Sequence, residues 1–140
     1  MTRGTILVAA GIVLGAGAWI AARHDEKHEA VRTLAVRDIV EKLDGKETKA
    51  TVVEVTLEPG QAGEPHRHPG PVIGYILEGE YEWAIDDQPA RVLRAGETFY
   101  EPGGCLHRVS KNPGKVKTRV LAWVLHPRDA RDLVIPEQKK

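Results

Sequence analysis

The chain divides by hydrophobic pattern into one long uncharged segment and a series of short alternating runs. Residues 5–22 carry no charge; Arg3 precedes them and charged residues follow from Arg23 onward. A basic start before an apolar run of this length is typical of a secretory signal or a membrane anchor. We predict a hydrophobic helix in residues 1–22, either a cleaved signal peptide or a retained transmembrane anchor. Because the basic start should stay in the cytoplasm, we expect the remaining chain to be extracytoplasmic, either periplasmic or anchored facing outward.

Short strands are predicted along most of the remaining chain. Residues 23–44 indicate a charged tether followed by a first strand or a short helical turn, and residues 127–140 a C-terminal tail. Between them, β-branched runs alternate with glycine, proline and aspartate turn residues, with hairpin turns expected at Gly79-Glu80 and Asp86-Asp87. The predicted strands are 50–57, 72–77, 81–85, 91–93, 98–100, 106–110 and 118–125, with an edge strand at 133–135. This pattern predicts an all-β sandwich or barrel.

Charge and cysteine content narrow the possible functions. Lysine plus arginine and aspartate plus glutamate both number 20, so the formal net charge is zero. A balanced chain without a basic stripe or a phosphate-binding glycine loop argues against nucleic-acid binding. The single cysteine, Cys105, excludes an internal disulfide, so the fold must be stable without one.

Three histidines form a candidate metal site. His66 and His68 are two residues apart, so on a strand both imidazoles project from one face. His107 follows a glycine-rich turn at the start of another predicted strand. Three converging imidazoles suit iron, zinc, copper, manganese or nickel and leave coordination positions open. The other histidines are not predicted as ligands: His24 and His28 should be solvated on the tether, and His126 should have a structural role at a strand end.

Two spaced motifs give the chain a family resemblance. The motifs are Gly60-x5-His66-x-His68-x3-Val72-x6-Gly79 and Gly96-x5-Pro102-x-Gly104-x2-His107. Over residues 45–126 the chain resembles a small single-domain microbial cupin. The resemblance implies a cupin-type β-barrel (a double-stranded β-helix, or jelly roll), one divalent metal on His66, His68 and His107, and a homodimer.

Val72 departs from the family pattern, because that position is normally a glutamate ligand. Three possibilities remain open. The site is a bare three-histidine centre, or Glu101, Glu64 or Cys105 replaces the missing ligand, or the site is degenerate and loses its metal easily.

Three functions fit these residues, and an enzyme is the first hypothesis. The favoured one is a metal-dependent dioxygenase acting on a small organic molecule, with iron as the favoured ion and Glu101 as the candidate general base. Isomerase or lyase chemistry is a related possibility. The alternatives are a non-enzymatic binding or sensing module for a metal or small ligand, and a metal-free barrel that engages a partner.

Overall fold

The computed structural model describes residues 29–43 and 45–138, and all regular structure in this part of the chain is β-strand. The predicted helix in residues 1–22, like His24 and His28, lies outside the described residues. Within the described ranges no helix is long and apolar enough to cross a bilayer. The strands are β1 Ala30–Leu43, β2 Lys46–Leu57, β3 His66–Arg67, β4 Val72–Glu78, β5 Glu80–Ile85, β6 Arg91–Arg94, β7 Thr98–Glu101, β8 Leu106–Lys111, β9 Thr118–Pro127 and β10 Ile135–Pro136.

These strands form two five-stranded sheets with antiparallel pairing. The first sheet has the order β1-β2-β9-β4-β7, and the second has the order β10-β3-β8-β5-β6. The all-β jelly-roll prediction is therefore confirmed. The segment predicted as a first strand or a helical turn is part of β1, which pairs along its length with β2.

The core lies between the inner faces of the two sheets. Along β9 buried and half-buried residues alternate, so that Val120, Ala122 and Val124 point inward. Strand β4 alternates in the same way, with Val72 and Ile76 buried. This period of two is the pattern expected when one sheet face packs on a core.

The two predicted hairpin turns have different outcomes. Strand β5 pairs with β6, which confirms the turn at Asp86-Asp87. The expected hairpin at Gly79-Glu80 is wrong, because β4 pairs with β7 and β9 while β5 belongs to the other sheet. Gly79 is instead the corner where the chain crosses between sheets. It has φ +78°, and a Cβ there would lie 2.5 Å from the Lys117 carbonyl oxygen.

Candidate metal centre

The three predicted histidines come together between the sheets. His66 lies on β3 directly opposite His107 on β8, and His68 follows immediately after β3. One ring nitrogen from each of the three lies within 4.8 Å of those of the other two. His66 and His107 are buried, and His68 is half-buried. The three residues predicted as metal ligands are therefore brought together in the structure.

Hydrogen bonds to two main-chain carbonyls fix how His66 and His68 are protonated. The Nδ1–H of His66 donates to the Glu64 carbonyl oxygen at 2.7 Å, and that of His68 to the Leu133 carbonyl oxygen at 2.6 Å. Because a carbonyl can only accept, each Nδ1 carries a proton, and in a neutral imidazole the lone pair is then on Nε2. These two Nε2 atoms face each other at 3.1 Å. Two facing lone pairs repel unless a proton or a cation lies between them.

His107 is oriented by two buried hydroxyls. The Tyr81 hydroxyl donates to Ser110 Oγ at 2.9 Å, so its oxygen is free to accept from His107 Nε2, 3.3 Å away. That arrangement leaves the lone pair on His107 Nδ1. Metal-binding histidines usually have their other ring nitrogen held by an acceptor in this way.

Glu101 lies beside the cluster at the end of β7. Its carboxylate is 1% exposed, and Oε1 accepts a hydrogen bond from Trp83 Nε1 at 2.9 Å. Oε1 is 3.3 Å from His107 Nδ1, and Oε2 is 3.7 Å from His68 Nε2. Oε2 is buried and accepts no hydrogen bond from the described residues. A buried carboxylate oxygen without a partner is costly, and an ion at the cluster would satisfy it.

Burial favours the uncharged forms of His68, His107 and Glu101. It lowers the pKa of His68 to about 4 and that of His107 to about 3, with the neighbouring histidines adding to the effect. Burial also raises the pKa of Glu101 to about 7, against the opposing effect of the Trp83 hydrogen bond. His68 and His107 are thus neutral at physiological pH, which is the state that binds a metal.

The other proposed replacement ligands lie outside the cluster. Glu64 contributes its main-chain carbonyl to His66, while its side chain is exposed. Cys105 packs against the core, and burial raises the pKa of its thiol to about 11, which disfavours the thiolate that metals bind.

Sequence reasoning missed the contribution of the C-terminal segment. Residues 127–140 were expected to be a tail, but β10 pairs with β3, and Leu133 supplies the carbonyl that holds His68. The predicted edge strand at 133–135 was a partial signal for this. A main-chain acceptor has no side-chain signature, so the contact itself was not predictable.

A cavity of about 170 Å³ opens beside the three imidazoles. Val72, Phe99, Val120, Val124 and Leu133 supply much of its apolar wall. Glu29 and Glu101 are its carboxylate residues. The cavity can hold a small molecule within reach of the histidines.

Fold and site together define a small jelly-roll protein with a three-histidine centre of the metal-binding type. The cupin domain family model matches residues 53–124, just over half of the 140 residues, and the chain belongs to the cupin family. No curated protein sequence matches the chain.

Solved structures place the fold among known cupin-like proteins. Oxalate oxidase in complex with the substrate analogue glycolate has a TM-score of 0.56 and 28% identity over 72% of this chain and 52% of its own. This chain thus spans about half the length of that enzyme. A protein with a double-stranded β-helix domain from Klebsiella pneumoniae has a TM-score of 0.60 at 19% identity, covering 82% and 90%. The DMSP lyase from Ruegeria pomeroyi has a TM-score of 0.59 at 20% identity, covering 88% and 59%. The latter two are similar in fold alone.

Proposed function

We propose that the protein binds one divalent transition metal on His66, His68 and His107 and uses it in a dioxygenase-like reaction on a small organic molecule. The observation that carries this proposal is the convergence of one ring nitrogen from each histidine to within 4.8 Å, with the Nε2 atoms of His66 and His68 facing each other at 3.1 Å. Iron is the favoured ion; manganese, nickel, copper and zinc also accept imidazole ligands. When bound, the ion supplies open positions for substrate and dioxygen.

The cavity supports a small and largely apolar substrate. Its volume of about 170 Å³ is below the roughly 300 Å³ at which pockets for drug-sized ligands begin. Among the described residues, no lysine or arginine lines it. The apolar side chains of the wall exclude water from the reacting groups. A substrate with a negative group would have to place that group on the metal.

Three arginines of the domain, Arg67, Arg91 and Arg108, have contacts within the protein. Arg67 donates to the Gly104 carbonyl and pairs with Glu137. Arg108 donates to two main-chain carbonyls, and Arg91 lies over the Trp83 ring at 5.1 Å. None of the three lines the cavity beside the histidines, which supports recognition of the substrate by shape and by the metal rather than by a cationic side chain.

Location and assembly are part of the same proposal, the first supported by the sequence pattern and the second by the family resemblance. The protein is extracytoplasmic, with the segment 5–22 as its export signal or anchor. It forms a homodimer, for which exposed Ile73, Tyr75 and Tyr100 on the outer face of the first sheet offer apolar surface. Cell fractionation and light scattering of the purified full-length chain test these two points.

Metal content of the full-length chain, measured by mass spectrometry, tests the central proposal. We expect near-stoichiometric transition metal in the native protein and little in a His66→Ala/His107→Ala variant. Oxygen uptake with small apolar substrates then tests the reaction. Stoichiometric metal without turnover of any substrate would favour the alternative of a binding or sensing module. No metal, even after reconstitution with each ion, would contradict the proposal.

A further inference from the structure

The position that departs from the family pattern has a carboxylate as its direct neighbour. Val72 on β4 and Glu101 on β7 are Cα partners in the antiparallel ladder. Side chains at directly opposite positions of such a ladder have Cβ atoms about 4.5–5.5 Å apart. Both residues are buried and both line the cavity beside the histidines. A carboxylate at either position therefore enters the same space.

The oxygen atoms of Glu101 are spaced as ligands of one ion would be. Ligands at about 2.1 Å from a shared ion are about 3.0–3.4 Å apart at octahedral or tetrahedral angles. The separation of Oε1 from His107 Nδ1 is 3.3 Å, and that of Oε2 from His68 Nε2 is 3.7 Å. The Nε2 atoms of His66 and His68 are 3.1 Å apart. All three distances lie in or close to the expected range.

The hydrogen-bonding pattern of Glu101 points in the same direction. Trp83 Nε1 holds Oε1 at 2.9 Å and so fixes the orientation of the carboxylate. Oε2 is left without a donor although it is buried. His68 cannot donate to it, because the single imidazole proton is already on Nδ1, bonded to the Leu133 carbonyl. Oε2 lies 3.7 Å from His68 Nε2, which lies 3.1 Å from His66 Nε2, so an ion beside His68 Nε2 is within reach of the other two atoms.

We infer that Glu101 is the carboxylate ligand of this centre, moved across the β4–β7 ladder from the position that Val72 occupies. This inference rests on the proposed metal site. It converts a bare three-histidine centre into a three-histidine, one-carboxylate centre with one unit less positive charge. As a ligand, Glu101 is not free to act as the general base.

Binding of Co²⁺ to the metal-stripped full-length chain tests the inference without reference to activity. Gln at position 101 keeps the shape of the side chain and its acceptor for Trp83, but it removes the negative charge. We expect Glu101→Gln to bind Co²⁺ at least about 100-fold more weakly, since even outer partners of ligands are worth 10–100-fold. The visible absorption bands of bound Co²⁺ should shift as well. Glu58→Gln, with an exposed side chain, is the matched control and should bind as the native protein does.

The double variant Val72→Glu/Glu101→Gln returns the carboxylate to the other side of the ladder. We expect it to recover at least about tenfold of the lost affinity, because the two positions share one cavity wall. It also keeps the inference testable if Glu101→Gln alone folds poorly. A folded double variant that does not recover affinity would contradict the inference.

Two further outcomes separate the inference from the proposed function. Native-like Co²⁺ affinity and an unchanged spectrum in Glu101→Gln would overturn the carboxylate ligand and leave the three-histidine site intact. Absence of Co²⁺ binding in the native chain would overturn both.

Discussion

Two buried histidine environments in this molecule differ in how their ring nitrogens are satisfied. His126 is 4% exposed; its Nδ1 donates to the Pro127 carbonyl at 2.8 Å, and its Nε2 accepts from the Thr51 hydroxyl at 2.9 Å. His66 is 7% exposed, and its Nδ1 also donates to a carbonyl, but its Nε2 faces the Nε2 of His68. Burial is nearly equal, so burial does not distinguish a structural histidine from a ligand.

The distinguishing feature is the partner of the second nitrogen. Each buried polar atom needs a hydrogen-bond partner. A histidine whose two ring nitrogens are both hydrogen-bonded within the protein has no nitrogen available to bind an ion. At His126 the protein supplies both partners, which agrees with the structural role expected from its sequence position. At the three-histidine cluster the second ring nitrogens of His66 and His68 face each other instead of a protein hydroxyl. Substitutions at His126 and at the three-histidine cluster should therefore differ in their effects on metal binding and on stability.

The largest effect should be the loss of metal-dependent stability in His66→Ala/His107→Ala. A metal at 100 times its dissociation constant stabilises a native state by about 2.7 kcal/mol, which corresponds to roughly 10 °C in Tm for a domain of this size. Calorimetry with and without added Zn²⁺ or Co²⁺ should show that shift in the native chain and none in the variant. His24→Ala/His28→Ala removes the same number of histidines and should keep the shift. A metal-dependent shift in Tm that persists in His66→Ala/His107→Ala would contradict metal binding by the cluster.

A smaller effect is expected from deleting residues 133–140. The deletion removes the Leu133 carbonyl that fixes the tautomer of His68, together with the pairing of β10 with β3. Loss of such an outer partner typically costs 10–100-fold in metal affinity. Isothermal titration of the stripped protein measures this change, and deletion of residues 139–140 alone is the control. Unchanged affinity would mean that Leu133 does not position His68.

His126→Ala should lower the free energy of unfolding without changing metal affinity, unlike the cluster variants. It leaves the Thr51 hydroxyl without its partner and creates a small cavity, at a cost of about 1–2 kcal/mol in the free energy of unfolding. That cost should be the same with and without metal, and the metal affinity should not change. Chemical denaturation in both conditions measures it. A loss of metal affinity in this variant would show that the two histidine environments are coupled.

Much of this arrangement was predictable from local sequence. Strand positions followed from β-branched runs between glycine and proline turns, because side chains on a half-buried strand alternate. The pairing of His66 with His68 followed from the same period of two. His107 was predictable as a partner because the family motifs fix its place after a glycine-rich turn.

The rest depended on contacts between distant parts of the chain. Glu101 was a candidate base and one of three candidate ligands, and only the β4–β7 register puts it opposite Val72. The role of Leu133 is carried by a main-chain oxygen, which any residue possesses. The crossing at Gly79 was mistaken for a hairpin, because turn residues indicate that the chain turns but not which sheet it enters.

The smallest effect concerns a second contrast, between two carboxylates. Glu101 is buried beside neutral imidazoles, whereas Glu54 on the first sheet accepts hydrogen bonds from Arg119 at 2.7 Å and Arg32 at 2.9 Å. These arginines lower the pKa of Glu54 to about 2. A carboxyl whose pKa falls on folding stabilises the native state above its unfolded pKa near 4.5, and that stabilisation disappears as pH falls towards 2.

Glu54→Gln should therefore lower Tm slightly at pH 7, and its difference from the native chain should shrink steadily below pH 4.5. The loss is expected to be modest because Arg32 is largely exposed and solvent screens the pairing. Thermal unfolding of both proteins from pH 7 to pH 2.5 measures the difference, with the exposed Glu58→Gln as control. A difference that stays constant down to pH 2.5 would mean that the charge of Glu54 contributes nothing. The carboxylate would then act through hydrogen bonds that glutamine reproduces only in part.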